Sequence, residues 1–171
     1  MDIGGNMSEL PTILIDNREQ KPLSFENLHI RGISALPTER ATLKTGDYAI
    51  KGLENIVCIE RKSAQDLYGT LFQGRERFQR EMERMQSFKY KYLVIESTPF
   101  GFAQHMEWHR HMMQFNSAFS TLMIYAERYG LKVRWAKTRE GSADYIARLA
   151  LKITQDESLC PSSAEPDSAN P

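Results

Sequence analysis

Cysteine is scarce in this chain of 171 residues, with only Cys58 and Cys160 present. Cys58 falls in an apolar run and Cys160 close to the C-terminus, so no disulfide framework is expected and an intracellular, reducing location is the natural reading. No apolar run approaches the ~20 residues that span a bilayer, which argues against a membrane partner. Residues 1–6 carry neither the basic nor the apolar region of a signal peptide. Gly-Lys-Ser/Thr does not occur, so no ATP-gripping glycine loop is expected. Net charge is absent as well: 22 Lys and Arg balance 22 Asp and Glu.

That zero conceals an asymmetry. Residues 155–171 contain four acids (Asp156, Glu157, Glu165, Asp167) and no base, leaving +4 on the remainder. Residues 61–91 hold eight bases against four acids. The local excess suits a phosphate backbone, and equally a solvated helix laced with ion pairs.

Periodicity predicts an alternation of strands and helices. Residues 12–15 form a β-branched run ending at Asp16 and read as a buried strand. Residues 17–35 show no clear period and are expected to be a loop with at most a short element. Residues 40–50 and 56–62 read as strands joined by a turn at 52–55. Ser63 and Asp66 fit a capping box that opens a helix. Leu67, Leu71, Phe78, Met82 and Met85 then recur at helical spacing, with a break expected near Gln73 because of Gly69 and Gly74. Residues 92–96 are another buried strand, and Pro99-Phe100-Gly101 is expected to open a loop. Phe115, Phe119, Leu122, Ala126 and Tyr129 form one stripe on a helix that stops at Gly130. Residues 131–136 read as a strand, and Ile146, Leu149, Ala150 and Ile153 as a last helix capped by Ser142. The expectation is one α/β domain over residues 12–155, a mixed central sheet flanked by helices. Residues 1–11 are expected to be flexible, and 156–171 a disordered acidic Pro/Ser tail.

The chemistry concentrates at Gly46-Asp47-Tyr48 and at Glu60-Arg61-Lys62, with Asp66 four residues further on. On a strand Glu60 and Lys62 share one face, ~6.6 Å apart. If the turn at 52–55 pairs Lys51 with Ile56, Asp47 lies opposite Glu60, with Cβ atoms ~5 Å apart. Two carboxylates so close repel unless something positive lies between them. Mg²⁺ is suited, since it accepts one or two carboxylates, waters and phosphate oxygens. In that reading Asp47 and Glu60 hold the ion beside a phosphodiester. Lys62 positions a water or stabilises the developing phosphorane charge. Asp16 and Glu19, just past the first strand, are candidates for further acid at the metal. Arg61 faces the other way on a regular strand and is expected to contact phosphate or serve the structure. Each acid also has a plainer account: a strand-end carboxylate is commonly a solvated cap, and helix capping alone accounts for Asp66.

Together these residues carry a resemblance. Asp16-Asn17-Arg18-Glu19, residues 43–48 and Glu60-Arg61-Lys62-x-x-x-Asp66 are similar to the nuclease domain of the XPF/MUS family of structure-specific endonucleases. That family belongs to the restriction-endonuclease-like PD-(D/E)XK superfamily. The similarity continues through Phe72-Gln73-Gly74-Arg75 and residues 79–85 to 93–96, and covers about residues 12–152. It implies a DNA endonuclease dependent on Mg²⁺ or Mn²⁺, cutting near flaps, forks or other branches in repair, recombination or replication. It places Asp47 and Glu60, with Asp16, at the metal and makes Lys62 the catalytic lysine. Glu19, Arg61 and Asp66 become supporting active-site residues, and Arg18, Arg75 and Arg77 candidate DNA contacts. Many relatives add tandem helix-hairpin-helix motifs, which this sequence lacks. Selectivity for branched DNA is therefore expected from a partner protein or a homodimer. The Phe115–Tyr129 stripe and the face from Ile146 to Ile153 are either a pairing surface or plain core. Other readings are a catalytically silent DNA-binding or scaffold subunit, or a sequence-specific restriction-type enzyme on the same fold.

His105 and His109 have the i, i+4 spacing of a helical metal pair, with His111 beyond. No cysteine lies nearby and no zincin glutamate follows the first histidine, so a polar surface is expected instead. Trp108 and Trp135 are expected to serve packing.

Overall fold

The computed structural model describes residues 10–108 and 112–159. In chain order it runs β1 (Ile13–Asp16), β2 (Glu26–Ile30), β3 (Ile33–Ala35), β4 (Thr38–Ala41), β5 (Tyr48–Ile50), β6 (Val57–Ser63), α1 (Ala64–Phe72), α2 (Arg75–Met85), β7 (Tyr90–Glu96), α3 (Pro99–Trp108), α4 (Met112–Tyr129), β8 (Lys132–Trp135) and α5 (Arg139–Leu159). Six strands make one mixed sheet in the order β4-β1-β5-β6-β7-β8, while β2 and β3 form a separate hairpin. The β5 strand runs antiparallel to both β1 and β6, and β6, β7 and β8 run parallel. This is the mixed, helix-flanked sheet expected from the sequence.

Strand alternation sorts the apolar side chains into two layers. On one face Ile13, Tyr48, Ile50, Val57, Ile59 and Val94 pack against Ile146, Ala150 and Ile153 of α5. The hairpin region covers the same layer through Leu23, Phe25, Leu28 and Leu36. On the other face Cys58, Leu93 and Ile95 meet Leu67 and Leu71 of α1, Phe78, Met82 and Met85 of α2, and Leu122 of α4. Each aliphatic side chain so buried contributes roughly 1.5–3 kcal/mol. On β6 this second face reads Cys58, Glu60, Lys62. The apolar floor therefore gives way to charge as the strand nears α1, and that is where the site forms.

The structure departs from the sequence reading in several places. Residues 17–35 contain a hairpin, hidden because its register shifts between Glu26 and Ile30. Asn27 there has φ 57°, which breaks the period-two pattern. The single strand expected over 40–50 is two, β4 and β5, with Gly46 at φ 84° between them. Pro99 opens a helix rather than a loop. Proline suits the first helical position, and Thr98 Oγ1 accepts from the Gly101 amide at 2.9 Å. The last helix begins before Ser142: Thr138 Oγ1 accepts from the Gly141 amide, and buried Ser142 donates to the Thr138 carbonyl. It also runs through Leu159, so residues 156–159 are helix, not tail.

The break at Gln73, the capping box at Ser63 and the helix stop at Gly130 are all found. Trp135 stacks on Phe119 at 6.3 Å, a packing role. Leu122, Ala126, Tyr129, Ile146 and Ile153 are buried within the chain's own core. Among the described side chains of α4, the larger apolar ones left exposed are Met123 (46%) and Ile124 (52%). No helix among the described residues is long and apolar enough to cross a membrane. The expected flexible start before Leu10, His109, His111, Cys160 and the rest of the tail lie outside the described residues.

Candidate active site

The β5–β6 register is the one the turn length dictates: Tyr48 pairs with Ile59, so Asp47 and Glu60 flank that pair on neighbouring strands. Asp47 is pinned from both ends of its peptide unit. Its amide donates to the Ile59 carbonyl at 2.9 Å, and its carbonyl accepts from the Asp16 amide at 2.9 Å. Its Oδ2 accepts from the Arg61 amide at 2.9 Å. The preceding Gly46 is required on two counts. Its φ of 84° disfavours any side chain, and a Cβ there would sit 2.7 Å from Cys58 Sγ. This turn therefore sets Asp47 against β6 with little freedom.

Glu60 and Lys62 lie on the same face, as alternation requires, and are joined by a 2.8 Å ion pair, Lys62 Nζ to Glu60 Oε1. Lys62 Nζ also lies 3.5 Å from Glu81 Oε2 of α2 and 5.6 Å from the centroid of the Phe78 ring. Burial, with Glu19 nearby, pushes the Asp47 carboxyl up to about 6, against its hydrogen bond from the Arg61 amide. Burial raises Glu60 further, and the negative charges of Asp47 and Glu81 add to it, outweighing the attraction of Lys62. Burial pulls Lys62 the other way, but Glu60, Glu81 and Asp47 more than offset this and hold it charged. A buried cluster so rich in acid is short of positive charge, since carboxylates in such surroundings ionise readily only beside a cation.

A cleft of about 990 Å³ opens over this cluster. Arg18, Glu19 and Lys21 line it from the β1 side, Asp47, Glu60, Arg61 and Lys62 form the centre, and α1 and α2 contribute Asp66, Arg77 and Glu81. Arg61, facing away from Glu60 as expected, is clamped by Glu19 at 3.0 Å and Glu96 at 2.8 Å, with all three side chains at most 9% exposed. Arg139 joins the same network. It approaches Glu96 at 3.5 Å and donates to the carbonyls of Lys21 and Pro22, holding the segment after β1 against the sheet.

Three expected site residues have other partners. Asp16 is buried, and both of its oxygens are taken by the Arg18 amide and guanidinium and the Leu43 amide. Burial raises its carboxyl, but those bonds outweigh this and hold it low. It does not line the cleft, and a cation there would have to displace these bonds. Arg75 does not line the cleft either: its Nε donates to the Leu71 carbonyl at 2.6 Å, tying α2 to the end of α1. Asp66 does line it, yet its side chain accepts from Ser63 Oγ at 2.6 Å in the capping box. Glu81, Glu96 and Arg139 were not foreseen. Glu81 alone left a signal: it is three residues after Phe78 and four before Met85, an acid on the apolar face of α2.

Among the described residues no group of three or more His, Cys, Asp or Glu is placed to hold a metal ion. Asp47 and Glu60 are a pair, and a pair meets the needs of Mg²⁺, which completes its shell with water and phosphate oxygens. The donor set is all oxygen and fits a hard divalent cation, and His105 lies on the cleft wall.

A sequence model of the ERCC4 domain matches residues 15–149. The chain belongs to the ERCC4 domain family. It is 29% identical over 150 residues to the DNA repair endonuclease UVH1 of Arabidopsis thaliana, a match covering 85% of this chain and 14% of that protein. To the DNA repair endonuclease XPF of Cricetulus griseus it is 27% identical over 175 residues, covering 94% of this chain and 18% of that protein. This chain thus spans less than a fifth of the length of these relatives. Its fold is that of XPF from Aeropyrum pernix, with a TM-score of 0.66 at 21% identity, covering 86% of this chain and 67% of that one. The same protein in complex with DNA superimposes with a TM-score of 0.65 at 21% identity, over 91% of this chain and 68% of that one.

Proposed function

We propose that the cleft over Asp47, Glu60 and Lys62 is the centre of a divalent-metal-dependent DNA endonuclease acting at branches such as flaps and forks. One observation carries this reading: the buried Glu60 carboxylate on β6 and the half-buried Asp47 carboxylate just before β5, both pushed towards their neutral forms, with a charged lysine beside them. Burying these groups costs stability and serves no packing need, so a cationic ligand is the economical explanation.

Asp47 and Glu60 would hold Mg²⁺ or Mn²⁺. The ion, when bound, supplies charge to a phosphoryl oxygen and acidifies water. Lys62, placed by Glu60 and the Phe78 ring, stands ready to orient the attacking water or meet negative charge growing on the phosphorus centre. Arg61 acts through structure, locking Glu19 and Glu96 so that β6 and the segment after β1 keep a fixed separation. Arg18 and Arg77 on the cleft walls, both exposed, suit contact with the phosphate backbone. The relatives named as DNA repair endonucleases, and the DNA-bound archaeal structure, support DNA as the substrate. Choice among branched structures would come from a second copy of the chain or a DNA-binding partner protein.

The test uses end-labelled flap, fork and plain duplex DNA with Mg²⁺, Mn²⁺ or chelator, for the wild type and Lys62→Ala. Metal-dependent cutting near the branch, reduced at least about 100-fold in Lys62→Ala, is expected. Binding without cutting would make the chain a silent DNA-binding subunit, and cuts at fixed sequences in perfect duplex would make it a restriction-type enzyme.

A further inference from the structure

Lys62 is held by two carboxylates from different elements. Glu60 Oε1 lies 2.8 Å from its Nζ on the same strand, and Glu81 Oε2 lies 3.5 Å away on α2. Glu81 is only 18% exposed on its side chain, although α2 is already anchored by Phe78, Met82 and Met85. A third acid beside Glu60 and Asp47 adds repulsion to a cluster in which Lys62 is already outnumbered, and packing gives no reason for it. A glutamine of equal size would fill the space at less cost. Something other than the resting fold must therefore use the charge.

The two ionic contacts of Lys62 differ in what happens when a cation enters. On the reading above, Glu60 is a ligand, and a divalent ion at Glu60 both withdraws that carboxylate from Lys62 and repels the ammonium. Lys62 then needs another anion, because Asp47, which also attracts it, is the second ligand of the ion on the same reading. Glu81 is within reach on a separate element, α2, so it can keep hold of Lys62 when Glu60 is withdrawn. We propose that Glu81 is a positioning residue that retains the Lys62 ammonium in the cleft when Glu60 engages a divalent cation. This rests on the assignment of the cleft as a metal-dependent nuclease centre.

The test pairs cleavage kinetics with the chemical reactivity of the Lys62 amine. The full-length chain and Glu81→Gln are treated with a limiting acylating reagent, with and without saturating Mg²⁺, and Lys62 modification is followed by mass spectrometry. In the wild type Lys62 is expected to react slowly in both conditions. In Glu81→Gln it should react slowly without Mg²⁺ and severalfold faster with it, because only then is Glu60 withdrawn. With DNA, kcat of Glu81→Gln should fall about 10- to 100-fold while the Mg²⁺ concentration for half-maximal rate stays unchanged. A purely structural role would raise Lys62 reactivity equally with and without Mg²⁺, and that result would overturn the proposal. So would a kcat equal to the wild type, or a clear rise in the half-saturating Mg²⁺ concentration, which would make Glu81 a ligand instead. Absence of cutting by the wild type would instead count against the nuclease reading. The Mg²⁺-conditional reactivity of Lys62 needs no turnover and still decides the role of Glu81.

Discussion

At the scale of single residues, the cleft trades stability for charge. Asp47 is pushed from 3.8 up to about 6 in the folded chain, chiefly by burial. The folded state therefore holds this proton more tightly than the unfolded state does. Ionisation of Asp47 weakens the fold progressively as pH rises from about 4 to about 6, and the full penalty persists above that window. That rise in pKa corresponds to roughly 3 kcal/mol. Asp47→Asn keeps an oxygen for the Arg61 amide and removes the charge. It should raise stability at pH 7 by up to about 3 kcal/mol, and by almost nothing below about pH 4. Urea unfolding of both proteins at the two pH values checks this; a variant less stable than wild type at pH 7 would contradict the electrostatic account.

At the scale of elements, the β5–β6 register and the α1 cap were legible in the sequence and long-range ion pairs were not. The Tyr48–Ile59 register that brings Asp47 and Glu60 near one another follows from the four-residue turn at 52–55, a local property. The break between α1 and α2 was likewise readable from Gly69 and Gly74, and the start of α1 from the Ser63–Asp66 box. The β2–β3 hairpin was hidden because Asn27 in the left-handed region interrupts its alternation. The partners of Arg61 could not be read at all: Glu19 lies 42 residues away and Glu96 lies 35, and only the folded sheet brings them together. Asp16 shows the same gap from the other side, because the Leu43 amide that occupies one of its oxygens comes from a distant loop. Arg61→Ala would leave Glu19 and Glu96 buried without their shared cation, a loss of about 3–5 kcal/mol. Ser63→Ala, which removes only the α1 cap, should cost about 1 kcal/mol. Denaturant midpoints of the two variants measure the contrast, and equal small losses would show that the Arg61 network does not tie the segment after β1 to the sheet.

At the scale of the whole molecule, the described residues form a sheet with two packed faces and a charged cleft where the apolar floor of β6 ends. The family and the fold were legible because the motif residues are concentrated in strands and turns of fixed local geometry. The contribution of α2 was less so, since a helix face reveals its buried acid only once its packing partner is known. The central claim is that Asp47 and Glu60 together hold the cation on which DNA hydrolysis depends. The most direct measurement is the initial rate of cleavage of a labelled flap substrate across a Mg²⁺ titration, for the wild type, Asp47→Asn and Glu60→Gln. The account predicts a saturable, chelator-sensitive rate in the wild type and a loss of at least about 1,000-fold in both folded variants. Cleavage that persists in chelator, or full activity in either variant, would contradict it.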